Sequence, residues 1–384
     1  MRRISWVVVT LALLVGLLPI GVRAVELDVD GKSALLMDVA TGSVLYENNA
    51  HEKLAPASVT KVMTMLLIME AIDGGKIGWE DQVVASEAAA AKGGSQIYLK
   101  VGETMSVAEM VKSIAVSSAN DCACAMAEHI AGSESAFVDM MNRRAAELGM
   151  QDTHFVNCTG LDDDPEAKAH KTSAHDIAIM SRELLKNHPD IKKYTTIWMD
   201  TIRNGTFGLS NTNKLVRFYN GATGLKTGYT SQAGYCLSAS AERDGMELIA
   251  VVMGAETSDK RFETAKSLLN FGFANYTLMD VHPSQALPPV DVLMGVEETI
   301  QPVLERSSRI LVDKSVLDKV TTELNLAEDV EAPVEAGQKL GSMIVRVDGV
   351  EQEVIDIVAD RAVDRLTVGG IFSRFMEMLF MKEK

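Results

Sequence analysis

Two pairs of short apolar runs, set far apart in the chain, constrain this sequence most. Ala34-Leu35-Leu36-Met37 and Val44-Leu45-Tyr46, joined across Ala40-Thr41-Gly42, read as an antiparallel hairpin. Gly234 to Glu242 and Glu247 to Gly254, turned by Asp244-Gly245, read as a second one. Between them the pattern is mainly helical. Met63 to Ile72 stops at Gly74-Gly75, Ser106 opens Val107-Ala108-Glu109-Met110 as a capping box, and helical periods follow through Asp121 to Ala131, Ser133 to Leu148 and Ser173 to Lys186. Ser258 to Asn275 gives one more helix after the second hairpin. Strands at both ends of a long helical insertion predict an α+β fold, an antiparallel sheet covered by helices.

Around Asn275 to Pro289 the texture changes, with His282-Pro283 and Pro288-Pro289 marking a linker. Strand-like runs follow at Arg309 to Val312 and at Met343 to Val347, the latter turned by Asp348-Gly349 into Glu353 to Val358. Residues 276–366 are therefore expected to hold a linker and a small all-β domain. The tail, 367–384, places Ile371, Phe372, Phe375, Met376, Leu379 and Phe380 at helical spacing, with Ser373, Arg374 and Glu377 on the other side. It is short for a membrane span and suits an amphipathic helix lying on a membrane surface.

At the other end, Met1-Arg2-Arg3 precedes an apolar run from Ile4 to Val22, closed by Gly21-Val22-Arg23-Ala24. This reads as a cleaved secretory signal over residues 1–24, leaving 25–275 as the catalytic domain. Cleavage removes three arginines and no acid, deepening the formal charge from −16 to −19. An acidic chain without a basic block excludes a nucleic-acid partner, and 47% hydrophobic residues exclude intrinsic disorder. Export permits disulfides. Yet Cys122, Cys124, Cys158 and Cys236 read better as small buried hydrophobes, because Cys122 and Cys124 do not face each other on a helix and zinc spacings are missing.

Three short motifs carry chemistry, in order: Ser58-Val59-Thr60-Lys61, Ser118-Ala119-Asn120 and Lys226-Thr227-Gly228. Ser58 and Lys61 share one face at a helix start, where a neutral lysine amine can take the serine proton. That requires lowering a lysine pKa by about 3, worth on the order of 4 kcal/mol, through burial and neighbouring positive charge, with Lys226 a candidate source. Unpaired N–H groups at the helix start favour an oxyanion. Ser118 and Asn120 project to one side of an extended or turning segment, Ser118 to relay a proton and Asn120 to hold Lys61 or a substrate amide; alternatively Asn120 simply caps the helix from Asp121. Lys226 and Thr227, at a sheet edge, can bind a carboxylate, and Gly228 lets a substrate backbone approach.

In this order the motifs resemble the signature of penicillin-binding proteins and serine β-lactamases. The sequence resembles the low-molecular-mass penicillin-binding proteins, specifically the serine-type D-Ala-D-Ala carboxypeptidases. The likeness extends to Leu54-Ala55-Pro56-Ala57, Phe155-Val156-Asn157-Cys158-Thr159-Gly160-Leu161 and Lys226 to Cys236, and takes in the β-domain and tail. It implies a cofactor-free, metal-free exported enzyme, peripheral on the outer face of the cytoplasmic membrane, that removes the terminal D-Ala of peptidoglycan stem peptides ending in D-Ala-D-Ala and is acylated by β-lactams. By the same resemblance Ser58 is the nucleophile, Lys61 the base, Ser118 and Asn120 the relay and positioning pair, and Lys226 with Thr227 the carboxylate site. The resemblance also implies the backbone N–H of Tyr229 as the second oxyanion donor.

Four alternatives compete. A class A β-lactamase needs a Glu followed four residues later by Asn, whereas the loop after Leu161 offers Glu166 and then His170. A transpeptidase shares the acyl-enzyme and differs in its acceptor. An inactive wall-binding protein has no use for Ser58 and Lys61 together. A metal hydrolase would draw on His154, His170 and His175, which lack ligand spacing.

Overall fold

The computed structural model describes residues 27, 29–306 and 308–380. The leader expected over 1–24 lies outside them. β1 (Ser33–Asp38) and β2 (Val44–Asn48) form the first hairpin. The buried helix α1 (Lys61–Asp73) follows, and then α2 (Val107–Ser117), α3 (Asn120–Ala131), α4 (Glu134–Glu147) and α5 (Ala174–Asn187). Ser106, Ser133 and Ser173 cap α2, α4 and α5 through their hydroxyls, as their positions before apolar periods require. The capping box at Ser106 is half made, because Glu109 turns its carboxylate to the Arg203 N–H instead.

The chain then returns to the sheet as β3 (Ala222–Thr230), β4 (Gly234–Arg243) and β5 (Met246–Ala255), before α6 (Ser258–Asn275). The order is β2-β1-β5-β4-β3, antiparallel throughout, with the first hairpin pairing through β1 to β5. Asp244 and Gly245 turn β4 into β5 with φ of 50° and 75°, the two positive values of a hairpin turn that matches strand twist. β3 was not expected as a strand. Its Lys226-Thr227-Gly228 lies at the sheet edge, where it was expected, within the outer strand that pairs with β4.

Strand alternation divides two cores. Leu35, Met37, Ile249, Val251 and Met253 face α1 to α5, whereas Ala34, Leu36, Leu248, Ala250 and Val252 face α6 through Phe262, Ala265, Leu268 and Leu269. Burial on both faces explains why these strands read as nearly continuous apolar runs. α1 is apolar all round because helices and sheet enclose it.

The expected linker is shorter than its composition suggested. β6 (Tyr276–Val281) follows α6 directly and pairs with β7 (Ser308–Asp313), and Pro283 and Pro288 come only after β6 ends. Beyond it Val320–Leu326, Lys339–Val347, Val350–Ala359 and Pro302–Leu304 form a four-stranded sheet, with its own apolar cores. The tail is a helix, α7 (Val368–Phe380). Val368, Ile371, Phe372 and Phe375 are exposed on it, while Arg374 donates to the carbonyls of Gly295 and Val296.

Candidate active site

Ser58 lies in a short 3-10 turn, Ala57–Thr60, that runs into α1. Ala57 before it has φ of 49°, a conformation that costs a residue with a Cβ and survives only where surroundings enforce it. The enforcement comes from the turn after Phe155. A Cβ on Gly160, whose φ is 80°, would fall 1.8 Å from the Ala57 carbonyl oxygen, so only glycine lets the two backbones meet. Asn157 Oδ1 holds that turn by accepting from the N–H groups of Thr159 (3.1 Å) and Gly160 (2.7 Å).

Lys61, one helical turn on, is fully buried. Its Nζ donates to Ser58 Oγ at 3.0 Å and to the Thr159 carbonyl at 2.7 Å. Burial pulls its pKa from the ordinary 10.5 down to about 7, against the opposing pull of the Asp121 carboxylate. The help expected from Lys226 is not what lowers it. Lys226 is itself buried and held well below its usual range, first by desolvation and then by repulsion from Lys61 and Arg261. Nor does Asn120 hold Lys61, since the Thr159 carbonyl fills that role.

Ser118 ends α2 in the left-handed conformation, φ 63°, and Asn120 opens α3 two residues later, so both sit on the turn between the helices. Ala119 occupies the cap position, which corrects the reading of Asn120 as an N-cap. The Asn120 amide donates from Nδ2 to the Gly93 carbonyl at 2.7 Å. Ser118 Oγ and Asn120 Oδ1 are buried without a hydrogen-bond partner among the described residues.

β3 closes the other side. A Cβ on Gly228 would fall 2.9 Å from the Ser58 nitrogen and 2.8 Å from the Pro56 oxygen, so the strand lies directly on the serine turn. Lys226 donates to the Thr227 carbonyl at 2.9 Å, and Thr227 Oγ1 meets Thr212 Oγ1 at 2.6 Å. Tyr229 is more than half exposed, its ring 4.3 Å from that of Tyr235. Arg261, buried on α6, donates to the carbonyls of Gly228 (3.0 Å) and Cys236 (3.1 Å). Lys226 on β3 and Arg261 beside it are thus both buried.

The first and third motifs thus meet at the Ser58 turn, and the second lies on the turn between α2 and α3. Thr159, Thr212 and Arg261 were not singled out. Arg261 had one signal, a charged residue on the apolar stripe shared with Ala265 and Leu268. The histidines do not assemble: His170 meets Thr60 Oγ1 at 2.8 Å and accepts from the Val156 N–H at 3.1 Å, and burial lowers its pKa to about 4. Glu166 lies exposed in a 3-10 turn, Pro165–Ala169. The four cysteines are free and buried.

Residues 21–257 match the family model for D-alanyl-D-alanine carboxypeptidase, and residues 281–365 match that for the C-terminal domain of penicillin-binding protein 5. The chain is 45% identical over 337 residues to the D-alanyl-D-alanine carboxypeptidase DacF of Bacillus subtilis, covering 86% of this chain and 85% of that one. To DacC of Escherichia coli it is 32% identical, covering 92% and 88%. Penicillin-binding protein 5 of Haemophilus influenzae superposes with a TM-score of 0.76 at 29% identity, covering 89% of this chain and all of that one. The ampicillin-bound penicillin-binding protein D2 of Listeria monocytogenes does so at 0.59 and 32%, covering 65% and 99%. By sequence along most of its length and by fold, the chain belongs to the D-alanyl-D-alanine carboxypeptidase family of penicillin-binding proteins and is an enzyme of that activity.

Proposed function

We propose that the activity runs through an acyl-enzyme on Ser58, with peptidoglycan stem peptides ending in D-Ala-D-Ala as donors and water as acceptor. The observation that carries this is the Lys61 amine, buried to near neutrality and 3.0 Å from Ser58 Oγ. Lys61 Nζ takes the hydroxyl proton as Oγ attacks the penultimate D-Ala carbonyl. The oxyanion forms against the N–H groups of Ser58 and Tyr229. As the peptide C–N bond breaks, the proton passes by way of Ser118 to the leaving D-Ala nitrogen. Water then attacks the ester, Lys61 again accepting a proton, and frees Ser58. Lys226 and Thr227 hold the terminal carboxylate, Asn120 the donor amide, and Gly228 admits the substrate backbone. The buried hydroxyl of Ser118 and carbonyl of Asn120, both without partners among the described residues, support their assignment to substrate.

A β-lactam presents the same carbonyl and carboxylate and acylates the same serine. Residues 1–24 export the chain, 25–275 form the catalytic domain, 276–366 the linker and β-domain, and 367–384 the anchor. α7, with Phe372 and Phe375 exposed, lies on the outer face of the membrane; no described helix is long and apolar enough to cross one.

The test is release of free D-Ala from a diacyl-L-Lys-D-Ala-D-Ala peptide by the native chain and by Ser58→Ala. Release that requires Ser58 is expected. Penicillin labelling at Ser58 without release would move the acceptor from water to an amine and make the enzyme a transpeptidase.

A further inference from the structure

We propose that Asp121 is a positioning residue for acylation: its buried carboxylate ties the 93–99 loop to the start of α3 and thereby fixes Asn120. The inference rests on the acyl-enzyme reading above. Asp121 is fully buried at the second position of α3. Its oxygens accept from three backbone N–H groups, those of Ile97 (3.1 and 3.3 Å), Leu99 (3.0 Å) and Cys122 (2.9 Å). The first two flank Tyr98, whose φ is 61°. A side chain held in that region needs its neighbours fixed, and Asp121 fixes both.

The same loop orients Asn120. The Gly93 carbonyl accepts from Asn120 Nδ2 at 2.7 Å and the Ser95 carbonyl from the Asn120 N–H at 2.7 Å. A Cβ on Gly94 would fall 2.8 Å from Asn120 Nδ2, so loop and amide are in contact. From outside, Arg203 clamps the loop by donating to the Ile97 carbonyl at 2.8 Å and pairing with Glu103. The Asp121 charge also reaches the base. The Asp121 carboxylate holds the Lys61 pKa up, while Lys226 and His170 feel the Lys61 ammonium in return, and the neighbouring Cys158 thiol is kept neutral by burial.

The experiment compares the full chain with Asp121→Asn, following the second-order rate of acylation by a labelled penicillin from pH 5 to 9, together with Tm. A carboxamide offers one oxygen where two now accept and turns an NH2 group toward a backbone donor. The plateau rate is expected to fall at least ~10-fold, as displacement of a catalytic neighbour by a fraction of an ångström does. The rise of rate with pH should also move to lower pH, because Lys61 loses a negative neighbour; a merely structural role does not move it.

Asp176→Asn serves as the control. Asp176 is likewise buried and accepts from the Asp152 N–H and Thr153 Oγ1, without touching Asn120 or Lys61. It should lose Tm and keep acylation within twofold. If Asp121→Asn does not fold, Gly94→Ala pushes the loop off Asn120 with the carboxylate intact, and should lower the plateau without moving the rise. A plateau within twofold of the native chain in either loop variant, or an equal loss in Asp176→Asn, would overturn the proposal. Ser58→Ala is run alongside: acylation persisting there would overturn the acyl-enzyme reading itself.

Discussion

Replacing Lys61 by Met should make the protein more stable below pH 7 and less stable near pH 10. Lys61 is protonated in the unfolded chain up to its ordinary 10.5, but in the folded one only up to about 7. The folded pKa is depressed, so between those values the unfolded state binds more protons and stability rises with pH. Below 7 both states are charged and the burial cost is fully present. The difference of about 3.5, at about 1.4 kcal/mol for each unit of pKa, makes that cost about 5 kcal/mol. Met fills the same channel without a charge, but leaves the Thr159 carbonyl and Ser58 hydroxyl without their donor, a pH-independent loss of about 1–3 kcal/mol. At pH 6 the variant should therefore gain about 2–4 kcal/mol, and relief of Lys226 adds in the same direction. The lead should shrink by up to about 1.4 kcal/mol per pH unit above 7 and reverse before 10.5. Urea unfolding of both proteins at half-unit pH steps measures this, since the other groups that feel Lys61, Lys226 and His170, are both relieved by its removal and shift the difference in the same direction. Parallel stability curves would refute the argument, because they would mean that Lys61 titrates alike in the folded and unfolded chain.

Four further outcomes follow from the same geometry. Penicillin acylation should climb about tenfold per pH unit below 7 and level above it, as a base with that pKa requires; a flat profile down to pH 5 removes Lys61 from the role. Gly228→Ala places a carbon 2.9 Å from the Ser58 nitrogen, where ordinary contact begins at 3.4 Å, and should displace that oxyanion donor enough to cut acylation by ~10²–10³; a loss under threefold would contradict it. Thr212→Val removes the partner of the Thr227 hydroxyl and should raise KM for the peptide ~5–10-fold with kcat nearly kept, which steady-state D-Ala release reads directly. Deleting residues 368–384 should yield an active enzyme that no longer sediments with membranes. Retention would transfer anchoring to the N-terminal segment.

The parts of the fold that alternation and capping encode were legible, and the parts that depend on distant partners were not. Both hairpins and the helices from Lys61 to Asn275 appear where apolar period and cap residues put them. β3 escaped because an outer strand that buries Lys226 and Thr227 breaks the apolar pattern that marks its neighbours. β6 escaped for the opposite reason, the prolines that suggested a linker lying just past its end. Within the site, Ser58, Lys61, Ser118, Asn120 and Lys226 are local motifs and could be read. Thr159 contributes a backbone carbonyl, which no side chain announces. The low pKa of Lys61 was expected from burial and neighbouring positive charge together; burial alone lowers it, and that share could not be apportioned from a tetrapeptide.

The sheet's two cores and those of the C-terminal strands draw on almost separate residues, joined at β6 and β7, where Tyr276, Leu278 and Leu311 lean on the α6 side and Val281, Ile310 and Val312 belong to the strands beyond. Heat is therefore expected to melt the chain in two steps, and the Tm and unfolding free energy read for Asp121 and Lys61 are those of the catalytic step. The penalty carried by Lys61 is charged to one of them alone. In a calorimeter that penalty moves one peak with pH and leaves its neighbour in place, so the chain carries an internal thermometer against which changes at the active site can be read.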